Sequence, residues 1–215
     1  MFKKTLGLIL NFLYPQSCLI CHQAAYWLCP ACLLNIEVRS DNISIEGLDM
    51  AYIACDYSSQ IRSIIWSFKY ANQPQAAELL TELLSRRLHS LTLPSPLYLV
   101  PIPLSKNKLK FRGYNQAELL AQHLGEKIDK TTFNPLQRVR KIRQQAHLGK
   151  NERFKNTANS FLSEKLNSAA TYIIIDDVLT TGATMSAAAL ALRQAGAKNV
   201  WGLAVARNDR KKLLK

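Results

Sequence analysis

The stretch Tyr172-Ile-Ile-Ile-Asp-Asp-Val-Leu-Thr-Thr-Gly-Ala-Thr184 constrains this chain more than any other part of it. Four apolar residues followed by two aspartates predict a strand, Tyr172 to Val178, that carries two carboxylates to its C-terminal edge. A hydroxyl-rich turn comes next, with Gly182 where the backbone must bend sharply. An Ala-rich helix follows from Thr184 to Ala195, with Gly196 as its C-terminal cap. Open parallel sheets take their ligands at that edge. A helix N-terminus there offers free N–H groups and the positive end of a dipole to phosphate. Thr180, Thr181 and Thr184 add hydroxyls, with Gly182 and Ala183 between them, and Asp176 and Asp177 can accept hydrogen bonds from a vicinal diol of the kind ribose carries. Singly, Thr184 reads as an N-cap and each aspartate as a solvated charge. The ordered set points to a sugar phosphate.

The remaining pattern alternates strand and helix. Met50 to Tyr57 reads as a strand after a polar connector, Glu37 to Asp49. Ser58 to Tyr70 has a helical apolar stripe at Ile61, Ile64, Ile65 and Phe68. Pro74 opens a second helix to Leu88, ended by the breakers Thr92 to Pro96. Leu97 to Leu104 is a buried-type strand, Ser105 to Arg112 a basic loop, and Gly113 to Ile128 a helix with Ala117, Leu120, Ala121 and Leu124 on one face. Pro135 to Arg140 and Phe161 to Leu166 are short strands around a polar stretch, 141–159, and Val200 to Ala206 is a closing strand. This order predicts an α/β domain, a parallel sheet with flanking helices.

Four of the five cysteines, Cys18, Cys21, Cys29 and Cys32, form C-x2-C-x7-C-x2-C. Each C-x2-C pair can turn both thiolates toward one ion at about 2.3 Å, and two pairs complete a tetrahedral Zn²⁺ site. Two disulfides are the alternative, and two knuckles within so few residues suit them poorly; a redox site would need one pair only. With every position filled by sulfur, the metal would supply folding energy rather than catalysis, and free thiolates fit a reducing cytoplasm. Residues 1–49 therefore read as a small zinc-ribbon-like module and 50–215 as the α/β domain, with 50–95 as its accessory or hood segment. Cys55 reads as core.

The net charge is +13, and residues 97–165 hold 14 basic against 5 acidic groups, a net +9. A field concentrated in this way suits a polyanionic partner; a solvated basic surface is the blander alternative. No apolar run reaches the ~18 residues of a membrane span. Thr5 to Tyr14, after Lys3 and Lys4, resembles the start of a signal peptide, but no cleavage-type sequence follows, and a short packed amphipathic helix is the simpler expectation. G-x-G-x-x-G, G-x4-G-K-[ST] and H-E-x-x-H are all absent, which excludes those nucleotide-binding and zinc-protease chemistries.

The motif at Tyr172–Thr184 resembles the phosphoribosyl-diphosphate (PRPP) motif of type I phosphoribosyltransferases: four hydrophobic residues, Asp-Asp, two residues, then Thr-Thr-Gly-x-Thr. More of the chain resembles the competence protein F (ComF) family, which includes the GntX-like proteins. The shared features are the four-cysteine module, Ile64-Ile-Trp-Ser-Phe-Lys-Tyr70, Val100-Pro-Ile-Pro-Leu104, Arg112-Gly-Tyr-Asn-Gln-Ala117, and a basic stretch with Arg138, Gln145, Leu148, Arg153 and Asn156. Ile142 departs from the threonine expected there. The resemblance implies a type I phosphoribosyltransferase-like fold, ribose hydroxyls bound by Asp176 and Asp177, and the 5′-phosphate bound by the turn Thr180 to Thr184.

PRPP carries a diphosphate whose charge grows as the C1–O bond breaks, so cations or Mg²⁺ must oppose it. The acidic motif supplies none. Lys106, Lys108, Lys110 and Arg112 sit after a neighbouring strand, and Arg112 can grip phosphate with a two-pronged fork. The second basic stretch, Arg138, Arg140, Lys141, Arg143, Lys150, Arg153 and Lys155, reads either as a lid over PRPP or as a track for single-stranded DNA. His147 and Phe154 could stack on bases there, though such residues more often pack. Tyr57, Trp66, Phe68 and Tyr70 are plausible pocket lining, though more often core. Two functions follow. One is cytoplasmic handling of single-stranded DNA during natural transformation, beside the membrane and with other uptake or recombination-mediator proteins, PRPP binding being retained. The other is a Mg²⁺-dependent phosphoribosyltransferase with an unidentified nitrogenous acceptor.

Overall fold

The computed structural model describes residues 17, 18, 20–23, 28–70, 76–139 and 160–208. Its centre is a sheet of six strands: β1 (Asn42–Ile43), β2 (Met50–Asp56), β3 (Leu97–Pro101), β4 (Thr131–Thr132), β7 (Thr171–Leu179) and β8 (Asn199–Arg207). Their order is β1-β2-β8-β7-β3-β4, parallel throughout except for β1. β7 and β8 lie at the middle, and both read as near-continuous apolar runs because each is covered on both faces. The expected α/β architecture, a parallel sheet with flanking helices, is what the chain adopts.

Two apolar clusters flank the sheet. Ile173 and Ile175 of β7 belong to one, with α2 (Ser59–Tyr70), α3 (Ala76–His89) and α5 (Gln116–Ile128). Tyr172 and Ile174 belong to the other, with α6 (Ala183–Gln194) and the antiparallel ribbon of β5 (Leu136–Arg138) and β6 (Phe161–Ser163). α2 turns the anticipated stripe inward, Ile61, Ile64, Ile65 and Phe68 all being buried. Cys55 is core as expected, at 1% exposure.

Residues 105–112, anticipated as a loop, form the helix α4 (Lys106–Arg112). The physical reason lies at its ends. The Ser105 hydroxyl accepts from the Lys108 N–H at 3.4 Å, and Gly113 closes the helix in the left-handed region at φ +80°, its N–H bonded to the Leu109 carbonyl at 2.8 Å. That termination delays the next helix to Gln116, with Asn115 as its cap. Elsewhere the connector contains the edge strand β1 and α6 begins at Ala183, one residue before the expected Thr184; α3 is described over Ala76–His89, and Pro74, its expected start, lies outside the described residues. Gly196 follows the cap residue Ala195 and bonds the Arg193 carbonyl at 3.0 Å.

The four-cysteine segment, ending in the short helix α1 (Pro30–Leu34), shares the first apolar cluster through Cys18, Leu28 and Cys29. Two adjacent arginines on α3 hold the chain that follows it. Arg86 donates to the carbonyls of Leu33 at 2.9 Å and Ile36 at 3.0 Å. Arg87, only 2% exposed, donates to those of Ser40 and Asp41 and lies 4.8 Å from the Tyr52 ring centroid. Further on, Asp49 accepts the Val200 N–H at 2.7 Å and pairs with Arg193 at 2.6 Å.

Candidate functional site

β7 carries Asp176 and Asp177 to the C-terminal edge of the sheet. Successive strand residues face opposite sides, so the two carboxylates part. Asp177 continues the row of Ile173 and Ile175, and Asp176 that of Tyr172 and Ile174. Asp177 is buried, and Lys69 of α2 meets its Oδ1 at 2.7 Å. Asp176 is half-buried, with one oxygen accepting the Asp177 N–H at 2.9 Å. Burial first, and the neighbouring Asp177 charge second, push the Asp176 carboxyl up to about 7, against the pull of Lys69 and Lys108.

The turn beyond β7 is open to solvent at Thr180, Thr181 and Thr184. Gly182 takes φ +81° and caps α6 without any side-chain acceptor. A Cβ at Gly182 would lie 3.4 Å from the Ile45 side chain as well as straining the backbone. The Thr181 hydroxyl accepts the Ala183 N–H at 3.4 Å. The start of α6 thus presents backbone donors beside three hydroxyls, a geometry suited to an anion.

Cations gather on the Asp176 side. Lys106 and Arg138 line one cavity of about 480 Å³ with Leu104, Ser105, Asn107 and Ser160. Arg138 donates to the Pro103 carbonyl at 3.2 Å, its guanidinium sits 5.1 Å from the Phe161 ring centroid, and it feels the Asp176 charge. Lys108 lies close enough to bias Asp176 electrostatically. Arg112 is placed differently. Its fork engages the Gln116 side chain at 2.9 Å and the Tyr70 hydroxyl at 3.2 Å. Of the second basic stretch only Arg138 is described; Arg140, Lys141, Arg143, Lys150, Arg153 and Lys155, with His147 and Phe154, lie outside the described residues.

The segments that resembled family motifs meet at this edge. The Tyr114 hydroxyl donates to the Phe68 carbonyl, and the Asn115 amide donates to the Ile102 carbonyl at 3.1 Å. Together with Lys69–Asp177 and Arg112–Tyr70, these contacts join α2, the end of β3, the start of α5 and β7. Lys69 is the site residue that the sequence reading passed over, although it stood inside the quoted segment Ile64–Tyr70. Phe68 is core and Tyr57 only partly buried against it. Trp66 and Tyr70 are exposed.

Cys18, Cys21, Cys29 and Cys32 form a second constellation, their four sulfurs all within 4.8 Å of one another. None is in a disulfide. Tetrahedral M–S bonds of ~2.3 Å place sulfurs roughly 3.8 Å apart, and the Cys21 and Cys29 sulfurs are 3.6 Å apart. The Cys29 N–H donates to the Cys18 sulfur, and the Cys32 N–H to that of Cys29, both at 3.4 Å. Burial opposes a charge on Cys18, yet N–H donation from Cys21, Cys29 and Ile20 brings its thiol down to about 6. This donor set could hold a metal ion.

Competence protein F of Haemophilus influenzae is 33% identical over 168 residues, spanning 73% of this chain and 72% of that protein. The chain belongs to the ComF family. Its kinship within ComF extends to DNA utilization protein YhgH of Escherichia coli, 31% identical over 157 residues, 69% of this chain and 68% of that one. It extends also to competence protein ComFC of Bacillus subtilis, 42% identical over 100 residues, 46% of this chain and 39% of that one. No family model matches the chain. Among the described residues of this ComF protein, no helix is long and apolar enough to cross a membrane.

Proposed function

We propose that this ComF-family protein binds PRPP at the β7–α6 turn and handles incoming single-stranded DNA on the cytoplasmic side during DNA uptake. The observation that carries the first half is one juxtaposition. Asp176, which opens into an exposed hydroxyl turn at a helix start, lies within electrostatic reach of Lys108 of α4 and of Arg138. In this reading Asp176 accepts from a ribose hydroxyl, and Asp177, clamped by Lys69, fixes the strand edge beneath it. The turn Thr180–Thr184 receives the 5′-phosphate, and Lys106 and Lys108 face the diphosphate, which brings Mg²⁺ with it. The relatives' names, which speak of competence and DNA utilization, support the second half, as does the net +9 of residues 97–165.

The cysteine cluster holds a structural Zn²⁺, which suits a reducing compartment. Residues 1–49 carry the zinc module and lend the edge strand β1 to the PRPP-binding domain of residues 50–215, and partners from the uptake or recombination machinery complete the assembly. A phosphoribosyltransferase reading draws on one observation, the Asp176 carboxyl held near 7, where a group can exchange a proton at working pH. Release of diphosphate from PRPP in the presence of candidate nitrogenous acceptors distinguishes an enzyme from a binder. For the binding claim itself, Asp176→Asn alone, which leaves the Lys69–Asp177 pair in place, abolishes PRPP binding while the far-UV circular dichroism is retained. Wild-type affinity in that variant would remove the site.

A further inference from the structure

The outer face of α2 takes no part in the PRPP site. Arg62, Trp66 and Tyr70 recur on it every fourth residue and all three are exposed, opposite the buried Ile61, Ile64, Ile65 and Phe68. Trp66 is 58% and Tyr70 51% exposed, and their ring centroids are 5.9 Å apart. On Tyr70 rests the Arg112 guanidinium, 5.0 Å from the ring centroid. Arg112 closes α4, where Lys106, Lys108 and Lys110 are exposed and Phe111, beside it in sequence, is 78% exposed. Neither α2 nor α4 contains an acidic residue.

A tryptophan left this open gains nothing from the protein's own core, and its neighbours are planar and cationic rather than aliphatic. Arg62 at one end and Arg112 at the other break the stripe as an apolar face for a membrane or a helix. A ligand with flat π surfaces and regular negative charge matches it. We infer that Arg62, Trp66, Tyr70 and Arg112, with Phe111 beside them, form a stacking platform for the bases of single-stranded nucleic acid, whose phosphates run past the exposed Lys110 of α4. The inference rests on the DNA-handling reading and gives it a surface, separate from the basic stretch 138–155. It also connects that surface to the sheet edge, because Tyr70 adjoins Lys69 and Arg112 adjoins the Tyr114 contact.

The test is anisotropy of a labelled oligothymidine titrated with the full-length, zinc-replete protein over a range of salt. Trp66→Ala weakens binding about tenfold, the loss of one stacked base, with the salt slope unchanged, and Trp66→Phe restores most of it. Arg62→Ala lowers the slope by about 0.7 instead. PRPP affinity of Trp66→Ala stays that of the wild type, which shows that the fold is intact. Wild-type oligothymidine affinity in Trp66→Ala overturns the platform alone. The same holds if sedimentation shows a wild-type dimer that dissociates in Trp66→Ala while its oligothymidine affinity is unchanged. Failure of the wild-type protein to bind the oligothymidine at all overturns the DNA-handling reading as well.

Discussion

Lys69 of α2 reaches across to β7 and places its ammonium 2.7 Å from the carboxylate of Asp177, with both side chains largely withdrawn from water. The pair ties the helix of one motif to the strand of another and leaves Asp176 as the acid that faces the cleft. Removing one partner of such a pair strands the other charge in a low-dielectric setting, which is more damaging than removing both. Lys69→Met therefore destabilises the protein by about 3–5 kcal/mol, and Lys69→Met with Asp177→Asn recovers a large part of it. Urea unfolding of the four proteins of this cycle measures the coupling; additive losses would contradict it.

Asp176 sets a pH dependence of stability. Its carboxyl is raised to about 7 in the fold from about 3.9 in an unfolded chain. Between those values the folded protein holds a proton that the unfolded chain has released, so stability falls as pH rises from about 4 to 7. Asp176→Asn removes that penalty. The variant melts higher than the wild type at pH 8, and the difference shrinks toward pH 4. A difference independent of pH would show that Asp176 titrates normally.

The cysteine cluster predicts about one Zn²⁺ per chain by atomic absorption. Cys29→Ser loses the ion and, because Cys18, Leu28 and Cys29 share a core with α2 and α3, lowers the melting temperature of the whole molecule. A chelator does the same to the wild type. A metal-free protein with an unchanged melt would contradict a structural role.

Arg87 supports the connector by donating to two backbone carbonyls from a buried position. Arg87→Ala leaves those carbonyls without their donor and opens space under Tyr52, a loss of about 3 kcal/mol by chemical denaturation. Both carbonyls accept from one nitrogen, Nη2, so the ammonium of Arg87→Lys recovers part of the loss but not the Ser90 hydroxyl bond or the contact with the Tyr52 ring.

What could be read from the sequence was local. The strand at Tyr172, the Ala-rich helix after it, the stripe Ile61–Phe68 and the cysteine spacing are set by neighbours a few residues apart, and all four stand in the structure. α4 was missed because its four cations show no apolar period, although its start and stop signals, Ser105 and Gly113, were in view. β1 pairs only two residues, too few for alternation to register. Lys69–Asp177, Arg112–Tyr70 and Tyr114–Phe68 join segments far apart in the chain, where no spacing rule reaches. The Arg112 fork was expected on phosphate and is occupied within the protein instead. The division of the acid pair between two faces follows from strand alternation, but which face holds the cations depended on how α2 and α4 pack.

The most direct measurement is calorimetric titration of the full-length, zinc-replete protein with PRPP and Mg²⁺, repeated with saturating single-stranded DNA. The account predicts micromolar binding that Asp176→Asn abolishes, and an affinity shifted by the DNA, since the platform and the PRPP edge share α2 and α4. Absence of binding heat in both conditions would contradict it and leave the β7–α6 turn without its ligand.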